Sequence, residues 1–357
     1  MARDKRKGRR LLVLGFVAAG AIATFMIWSN RSGQTEQQLP NGNNGQVAAD
    51  APSNTAPKRL DDLPGILPEV PPDIHPAEAP TPLATVPAPA SEEDAIQAYQ
   101  RGMGLYRDQD LLQARSVLSS AYFSDKLPQE MAEQARAALT ELAEITLIGQ
   151  GSGVYAGDPY TGHYTCQAGD VLAKVERSRK LHIPWQLLIK VNNMLRPEDL
   201  QAGRRYKIVR GPFHAVVHKS QFVMDIYLHR NGFEKVYIKR LPIGTGRNGA
   251  TPVGMWRIKL GGKHERPTWY PPPNSDLHGP VPYGQDNYAF GVKGLWIGLE
   301  GTDENTLPLT DYGIHSTNDP SSIGQAKSLG CIRLADKDIE LAYNLLYEHW
   351  STVEVCP

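Results

Sequence analysis

A chain of 357 residues with 41% apolar and 21% charged side chains is long enough for two or three folded units, each able to bury a core. The 38 Lys and Arg balance the 38 Asp and Glu, so no basic field exists to draw the chain to nucleic acid. The 3 cysteines are too few for a disulfide-built fold or a Cys-rich metal site, and an odd number leaves at least one thiol free or shared.

Leu11 to Trp28 form an uncharged run of 18 residues, long enough to cross a hydrocarbon core of about 30 Å as one helix. Arg3, Lys5, Arg6, Lys7, Arg9 and Arg10 precede it. By the positive-inside rule the short N-terminus stays cytoplasmic and everything beyond residue 30 is exported. Ala21-Ile22-Ala23 resembles a signal-peptide cleavage site, but the apolar run continues through Trp28, which favours a retained anchor. Residues 31–90 hold 12 prolines among Asn, Gln, Ala and Ser, with no apolar period. That is the composition of a linker, with a reach of roughly tens of ångströms.

From Ser91 the period becomes helical. Ser91 and Asp94 offer a capping box, and Ile96, Tyr99, Met103 and Tyr106 follow at spacings of a helix face. Leu111, Ala114, Leu118 and Ala121 repeat the stripe, as do Met131, Ala135, Ala138, Leu142 and Ile145 after Pro128. Residues 91–148 therefore read as a small helical module with a faint likeness to one tetratricopeptide unit; it either packs on its neighbour or binds a protein partner. A Gly-rich spacer, 149–163, follows.

Residues 164–210 read strand, helix, helix, strand, with Val171, Leu172, Val175 and Leu181 as the apolar face of the first helix and Leu187, Leu188 and Val191 as that of the second. YTCQAGDVL, IPWQLLIKVNN and LQAGRRYKI, in that order, resemble the LysM module, which implies binding of N-acetylglucosamine-containing glycan strands such as peptidoglycan. Cys166 stands where that pattern has Val and is expected to pack as a small buried hydrophobe. In an oxidising compartment Cys166 and Cys356 are available to each other for a disulfide.

Phe213 to Gly246 alternates as strands do. Gly244 to Gly249 spells G-x-G-x-x-G, but Thr251-Pro252 follows directly, so no helix starts there to cradle a pyrophosphate and a hairpin connection is expected instead. In Tyr312 to Leu334 a Cys follows a His by 16 residues in a Gly- and Ser-rich setting. An imidazole that accepts the thiol proton makes the nucleophilic thiolate, and Gly330 permits close backbone approach, so that the Gly330 and Cys331 amides serve an oxyanion. His264, His278 and His315 lie too far apart for a compact zinc motif. No cofactor is expected.

ATPVGMWRI (250–258), RPTWYPPP (266–273), YAFGVKGLWIGL (288–299) and IHSTNDPSSIGQAKSLGCIRL (314–334) resemble, in order, the L,D-transpeptidase (YkuD-type) catalytic domain, over 213–357. The resemblance implies a compact β-sandwich and acyl transfer on peptidoglycan stem peptides. It implies Cys331 as nucleophile, His315 as its base, the Ser316 carbonyl as orienter of the imidazole, and the turn Ser328-Leu329-Gly330-Cys331 as oxyanion hole. Arg333 either contacts a substrate carboxylate or braces the loop. Trp269 and Tyr270 either wall a lid over the peptide or sit on a plain surface loop. Two positions depart from the family: Ser316 for Gly, harmless where a backbone carbonyl acts, and Leu329 for His, which removes a second imidazole. Asp336 and Asp338 are expected to cap the helix IELAYNLLYEHW. The expected architecture is multidomain: an anchor (1–30), a linker (31–90), an all-α module, an α+β LysM-like module and a mainly-β catalytic domain. Such a chain sits in a bacterial cytoplasmic membrane with its catalytic domain outside.

Overall fold

The computed structural model describes residues 86–271, 277 and 279–357, all within the unit Asp73–Pro357. The apolar run 11–28, and the linker up to residue 85, lie outside the described residues. Among the described residues no helix is long and apolar enough to cross a membrane.

Helix α1 (Glu92–Arg107) starts on the capping box read from the sequence. Ser91 Oγ accepts the Asp94 N–H, and the Asp94 carboxylate accepts the Ser91 N–H, an arrangement worth about 1 kcal/mol to a helix start. Helix α2 (Leu111–Phe123) is capped by Asp110, and α3 (Gln129–Ala143) begins directly after Pro128. The last helix does not keep its period. It widens into a π-helical turn, Glu144–Ile148, and the extra residue per turn rotates the face. Thr146, Leu147 and Ile148 are therefore buried, while Ile145 is only half-buried. The helices pack around Ala114, Leu118, Ala135, Leu139 and Leu142, and Tyr237 from the neighbouring sheet completes that core.

A buried ionic network ties the helices to the Gly-rich segment and to the α+β block beyond it. Arg115, 1% exposed, places Nη2 2.8 Å from Asp158 Oδ1 and Nη1 2.8 Å from Thr146 Oγ1. Burial would raise the Asp158 carboxyl, but Arg115, the Tyr160 amide and the Thr161 hydroxyl together hold it below its ordinary value. Lys207 Nζ donates to the Thr146 carbonyl, Ser152 Oγ and the Gly153 carbonyl, each at 2.8 Å. Burial pushes it down to about 7. The Gly-rich spacer is thus clamped at three points.

The α+β block runs β1 (Thr161–Thr165), α4 (Leu172–Ser178), α5 (Gln186–Val191), β2 (Arg205–Val209), with β1 and β2 antiparallel from Thr161↔Val209 to Thr165↔Arg205. Val171 departs from the expected apolar face: it precedes α4 in extended backbone and is 59% exposed. Cys166 is buried, and it and Cys356 are both free thiols.

The C-terminal part is built from β3 (Phe213–His218), β4 (Val223–Leu228), β5 (Val236–Gly246), β6 (Gly254–Glu265), β7 (Leu295–Gly301), β8 (Gly313–Ser316), β9 (Ala326–Ser328), β10 (Ile332–Leu334), α6 (Asp336–Leu345) and β11 (Thr352–Cys356). Strict alternation explains the layering. In β3, Phe213, Ala215 and Val217 are buried while His214, Val216 and His218 face out. The sheet order is β10-β8-β7-β6-β11-β3-β4-β5-β9, and β10 also pairs with β5. The domain is mainly β as expected, but the sandwich is one sheet folded back on itself, its two ends joined through β10.

Two local expectations are corrected. The glycine-rich stretch 244–249 is not a hairpin connection: β5 pairs with β4, β9 and β10, whereas β6 pairs with β7 and β11, so a single 3-10 turn, Arg247–Gly249, carries the chain across the fold. Asp336 and Asp338 do not cap α6 either. Its N-cap is Ala335 without a side-chain bond, and both carboxylates lie inside the first turn, where the helix dipole favours them. The helix also stops at Leu345, because the Ser351 hydroxyl and amide bond the Tyr347 backbone and close a turn there.

Breaking the buried pair by Asp158→Ala leaves Arg115 without its counter-charge. The expected cost is about 3–5 kcal/mol, read as a lowered guanidinium midpoint in equilibrium unfolding; an unchanged midpoint would show that the network does not hold the helices in place.

Candidate active site

β8 and β10 run parallel, with Ile332 opposite Ile314, Arg333 opposite His315 and Leu334 opposite Ser316. Ile314, Ile332 and Leu334 are buried in the main core. Alternation therefore puts His315, Arg333 and Cys331 together on the outer face of the closed sheet. Of the sequence-predicted residues, His315, Ser316 and Arg333 lie on these two strands and Cys331 directly precedes β10.

His315 Nδ1 lies 2.5 Å from the Ser316 carbonyl. A carbonyl can only accept, so Nδ1 carries the proton and Nε2 keeps its lone pair. The imidazole is 5% exposed, with Phe290 4.8 Å away between ring centroids and Trp296 stacked at 5.8 Å. Burial pushes it down to about 4, against the bond to Ser316 and helped by the nearby Arg333 charge. It is a neutral base at pH 7. Ser316 is itself fixed, its hydroxyl donating to the Phe290 carbonyl and accepting the Leu295 amide at 3.2 Å.

Cys331 Sγ donates to the Asp311 carbonyl at 3.8 Å. Burial pushes the thiol up to about 11, although the Gly313 amide and Arg333 favour the thiolate. The two groups are thus a neutral thiol and a neutral imidazole at rest, and the hydrogen bond of the sulfur goes to Asp311 rather than to His315.

The turn before Cys331 differs from expectation in its hydrogen bonding. Ser328 Oγ accepts the Gly330 N–H at 3.1 Å and donates to the Cys331 carbonyl at 2.6 Å. The Gly330 amide is therefore already used, and Ser328 is a brace of the turn rather than a group presented to substrate. Thr251 Oγ1 secures the same turn by donating to the Gly330 carbonyl at 2.8 Å and accepting the Gly246 amide at 2.7 Å. Gly330 has φ +146°, and a Cβ there would stand 2.8 Å from Tyr312 Cε1, so both conformation and space demand glycine. Leu329, 39% exposed, points no polar group at the sulfur.

Arg333 is only partly satisfied. Nη1 is 3.9 Å from Asp319 Oδ2, and Nε is buried without a partner, which is costly unless something else supplies an acceptor. Trp269 pairs through its backbone with Val281 and packs its ring on Phe290, one layer behind His315. Tyr270 is 72% exposed. Residues 272–276 and His278, which complete the expected lid, lie outside the described residues. Among the described residues no group of three or more His, Cys, Asp or Glu is placed to hold a metal ion.

Phe290, Trp296, Thr251, Tyr312, Gly313 and Asp311 shape the site without having been singled out from sequence. Phe290, Trp296 and Thr251 fall in the quoted family segments, which was their only signal. Residues 212–355, which hold the closed sheet, match the YkuD model, the L,D-transpeptidase catalytic domain. The probable L,D-transpeptidase YbiS of Escherichia coli (strain K12) is 33% identical over 173 residues, 46% of this chain and 45% of that protein. The probable L,D-transpeptidase ErfK/SrfK of the same strain is 33% identical over 116 residues, 30% of this chain and 34% of that protein. The chain thus spans less than half the length of the curated relatives it matches. An L,D-transpeptidase from Mycobacterium smegmatis aligns over 43% of this chain and 64% of that chain at 13% identity with a TM-score of 0.29.

Because the thiol is held near 11, its thiolate fraction grows throughout the alkaline range. Iodoacetamide labelling of Cys331, followed by peptide mass spectrometry, should keep accelerating from pH 8 to pH 10; a plateau below pH 8 would mean a resting thiolate–imidazolium pair. Gly330→Ala should lower the unfolding midpoint by the equivalent of about 1–3 kcal/mol, and an unchanged midpoint would remove the case for a glycine-only position.

Proposed function

We propose that the chain is a membrane-tethered peptidoglycan L,D-transpeptidase forming 3→3 cross-links through a thioester on Cys331. The observation that carries this reading is the outer face shared by Cys331, His315 and Arg333, with the His315 tautomer fixed by Ser316. In this mechanism Sγ leaves the Asp311 carbonyl, gives its proton to His315 Nε2 and attacks the carbonyl carbon of the diamino acid at stem position 3. The C–N bond to the terminal D-Ala breaks, and the departing amine takes the proton from His315. The side-chain amine of a second stem then attacks the thioester, loses its proton to His315 and releases the thiol. With the Gly330 amide held by Ser328, the oxyanion donor of the turn is assigned to the Cys331 N–H. The half-satisfied Arg333 is assigned to a substrate carboxylate.

The LysM-like block 164–210 would hold glycan strands. The run 11–28 would anchor the chain in a bacterial cytoplasmic membrane with the catalytic domain on the extracytoplasmic, periplasmic side. The test is mass spectrometry of products from disaccharide tetrapeptide, beside Cys331→Ala. A Cys331-dependent dimer lacking one D-Ala is the expected result. Tripeptide monomer alone would make water the acceptor and the protein an L,D-carboxypeptidase; neither product, from folded protein, would favour a non-catalytic wall-anchoring scaffold.

Neutral His315 is the base, so the acid limb of kcat/KM should fall as His315 protonates near pH 4 rather than near the ordinary 6.5. A limb at 6.5 would assign the proton to another group.

A further inference from the structure

Away from the thiol, the tip of α2, the following loop and α3 overhang the outer faces of β3, β4 and β5 and leave a cleft of about 660 Å³, within the size range of small-ligand sites. Its floor is aromatic. Tyr122 meets Tyr237 edge-on at 4.8 Å, Phe123 meets Tyr227 at 6.1 Å, and Lys235 is seated over Phe123 and Tyr227 at 4.9 and 4.5 Å. One lining carboxylate is committed: Asp225 takes Arg240 through two bonds of 2.8 and 2.6 Å and Tyr237 Oη at 3.2 Å, and His218 lies 3.7 Å away.

The other charges are not committed. Among the described residues the Arg136 guanidinium has no ion pair or hydrogen bond, and Lys235 has only its ring faces. Asp125 has no ion pair, and Glu133 only an amide bond from Gln129 at 3.3 Å. Two uncommitted cations and two uncommitted carboxylates line one aromatic cleft, a pattern complementary to a ligand carrying both signs. Pure stacking of a neutral sugar is disfavoured, because Lys235 already covers two of the ring faces.

The cleft and the thiol share a strand. Arg240 lies on β5 in the cleft; four residues on, Gly244 pairs with Arg333, and a Cβ at Gly244 would stand 3.4 Å from Arg333 Cβ. At about 3.3 Å per residue the two places are about 13 Å apart along one rigid element. We infer that the cleft between the helical module and β3–β5 is a second binding site, for a zwitterionic peptide bearing carboxylates and a free amine. Its carboxylates go to Arg136 and Lys235 and its ammonium to Asp125 and Glu133. The identity of that peptide as a free stem of peptidoglycan rests on the transpeptidase reading above, under which it holds a stem beside the one at Cys331.

The test is calorimetric titration of the full chain carrying Cys331→Ala with the free tripeptide L-Ala-γ-D-Glu-diaminopimelate, repeated on Arg136→Gln, Lys235→Gln and Arg333→Gln in that background. The expected result is a binding event weakened roughly tenfold or more by Arg136→Gln and by Lys235→Gln, retained in Arg333→Gln, weakened by salt, and weakened when the peptide amine is acetylated. Iodoacetamide labelling of Cys331 in the Arg136→Gln and Lys235→Gln proteins that retain the thiol should be unchanged, which separates a lost site from a disturbed fold. Binding that survives both cleft substitutions but disappears in Arg333→Gln, or no binding at all, would overturn the proposal. The outcomes separate from those of the catalytic reading: cross-linked dimer without cleft binding sinks only the cleft, and cleft binding without dimer sinks only the transpeptidase.

Discussion

The candidate site depends on the double pairing of a three-residue strand. β10 lies parallel to β8 on one side and antiparallel to β5 on the other, so the same few backbone hydrogen bonds close the sheet and fix Arg333 beside His315, with Cys331 one residue ahead of the strand. A longer strand would be harder to displace; one this short holds its place because Ile332 and Leu334 are buried in the core the sheet encloses. The position of Cys331 is therefore set by hydrophobic burial of the residues that follow it, and its side chain lies on the other face.

On that outer face the electrostatics run against charge. Both the imidazole and the thiol are pushed towards their neutral forms by burial, and the aromatic rings of Phe290 and Trp296 supply most of the wall around His315. A thiol held neutral in this way is a weak nucleophile at neutral pH. Arg333 reinforces burial at the imidazole, lowering it further, and opposes burial at the thiol, where it favours the thiolate.

Much of this is legible in the chain itself. The capping box at Ser91 and Asp94, the alternation in β3 and the pairing of a His with a Cys 16 residues later are local patterns, and local patterns survive folding. The π-helical turn at Glu144–Ile148 is not legible, because nothing in a 3.6-residue period announces one extra residue. Nor is the buried Arg115: in sequence it is one more polar residue on a helix, and its partner Asp158 is 43 residues away in what reads as a spacer. The glycines at 244–249 look like a hairpin because the eye pairs consecutive strands, whereas this sheet places β5 and β6 apart. Ser328 looks like a substrate contact, yet its hydroxyl has two backbone partners within its own turn, a matter of geometry that residue type does not encode.

The composition divides the chain into blocks that look separable, like beads that could be exchanged between proteins. The network around Arg115, Asp158, Thr146 and Lys207 argues otherwise. It draws its members from the second helix, the π-helical turn, the Gly-rich segment and β2, while Tyr237 of the closed sheet sits in the core of the helices. Cutting between blocks would strand a buried charge on one side and an aromatic ring on the other. The described part of the chain is thus built to be inherited whole, and a swap of its helical portion would have to bring a matching arginine with it.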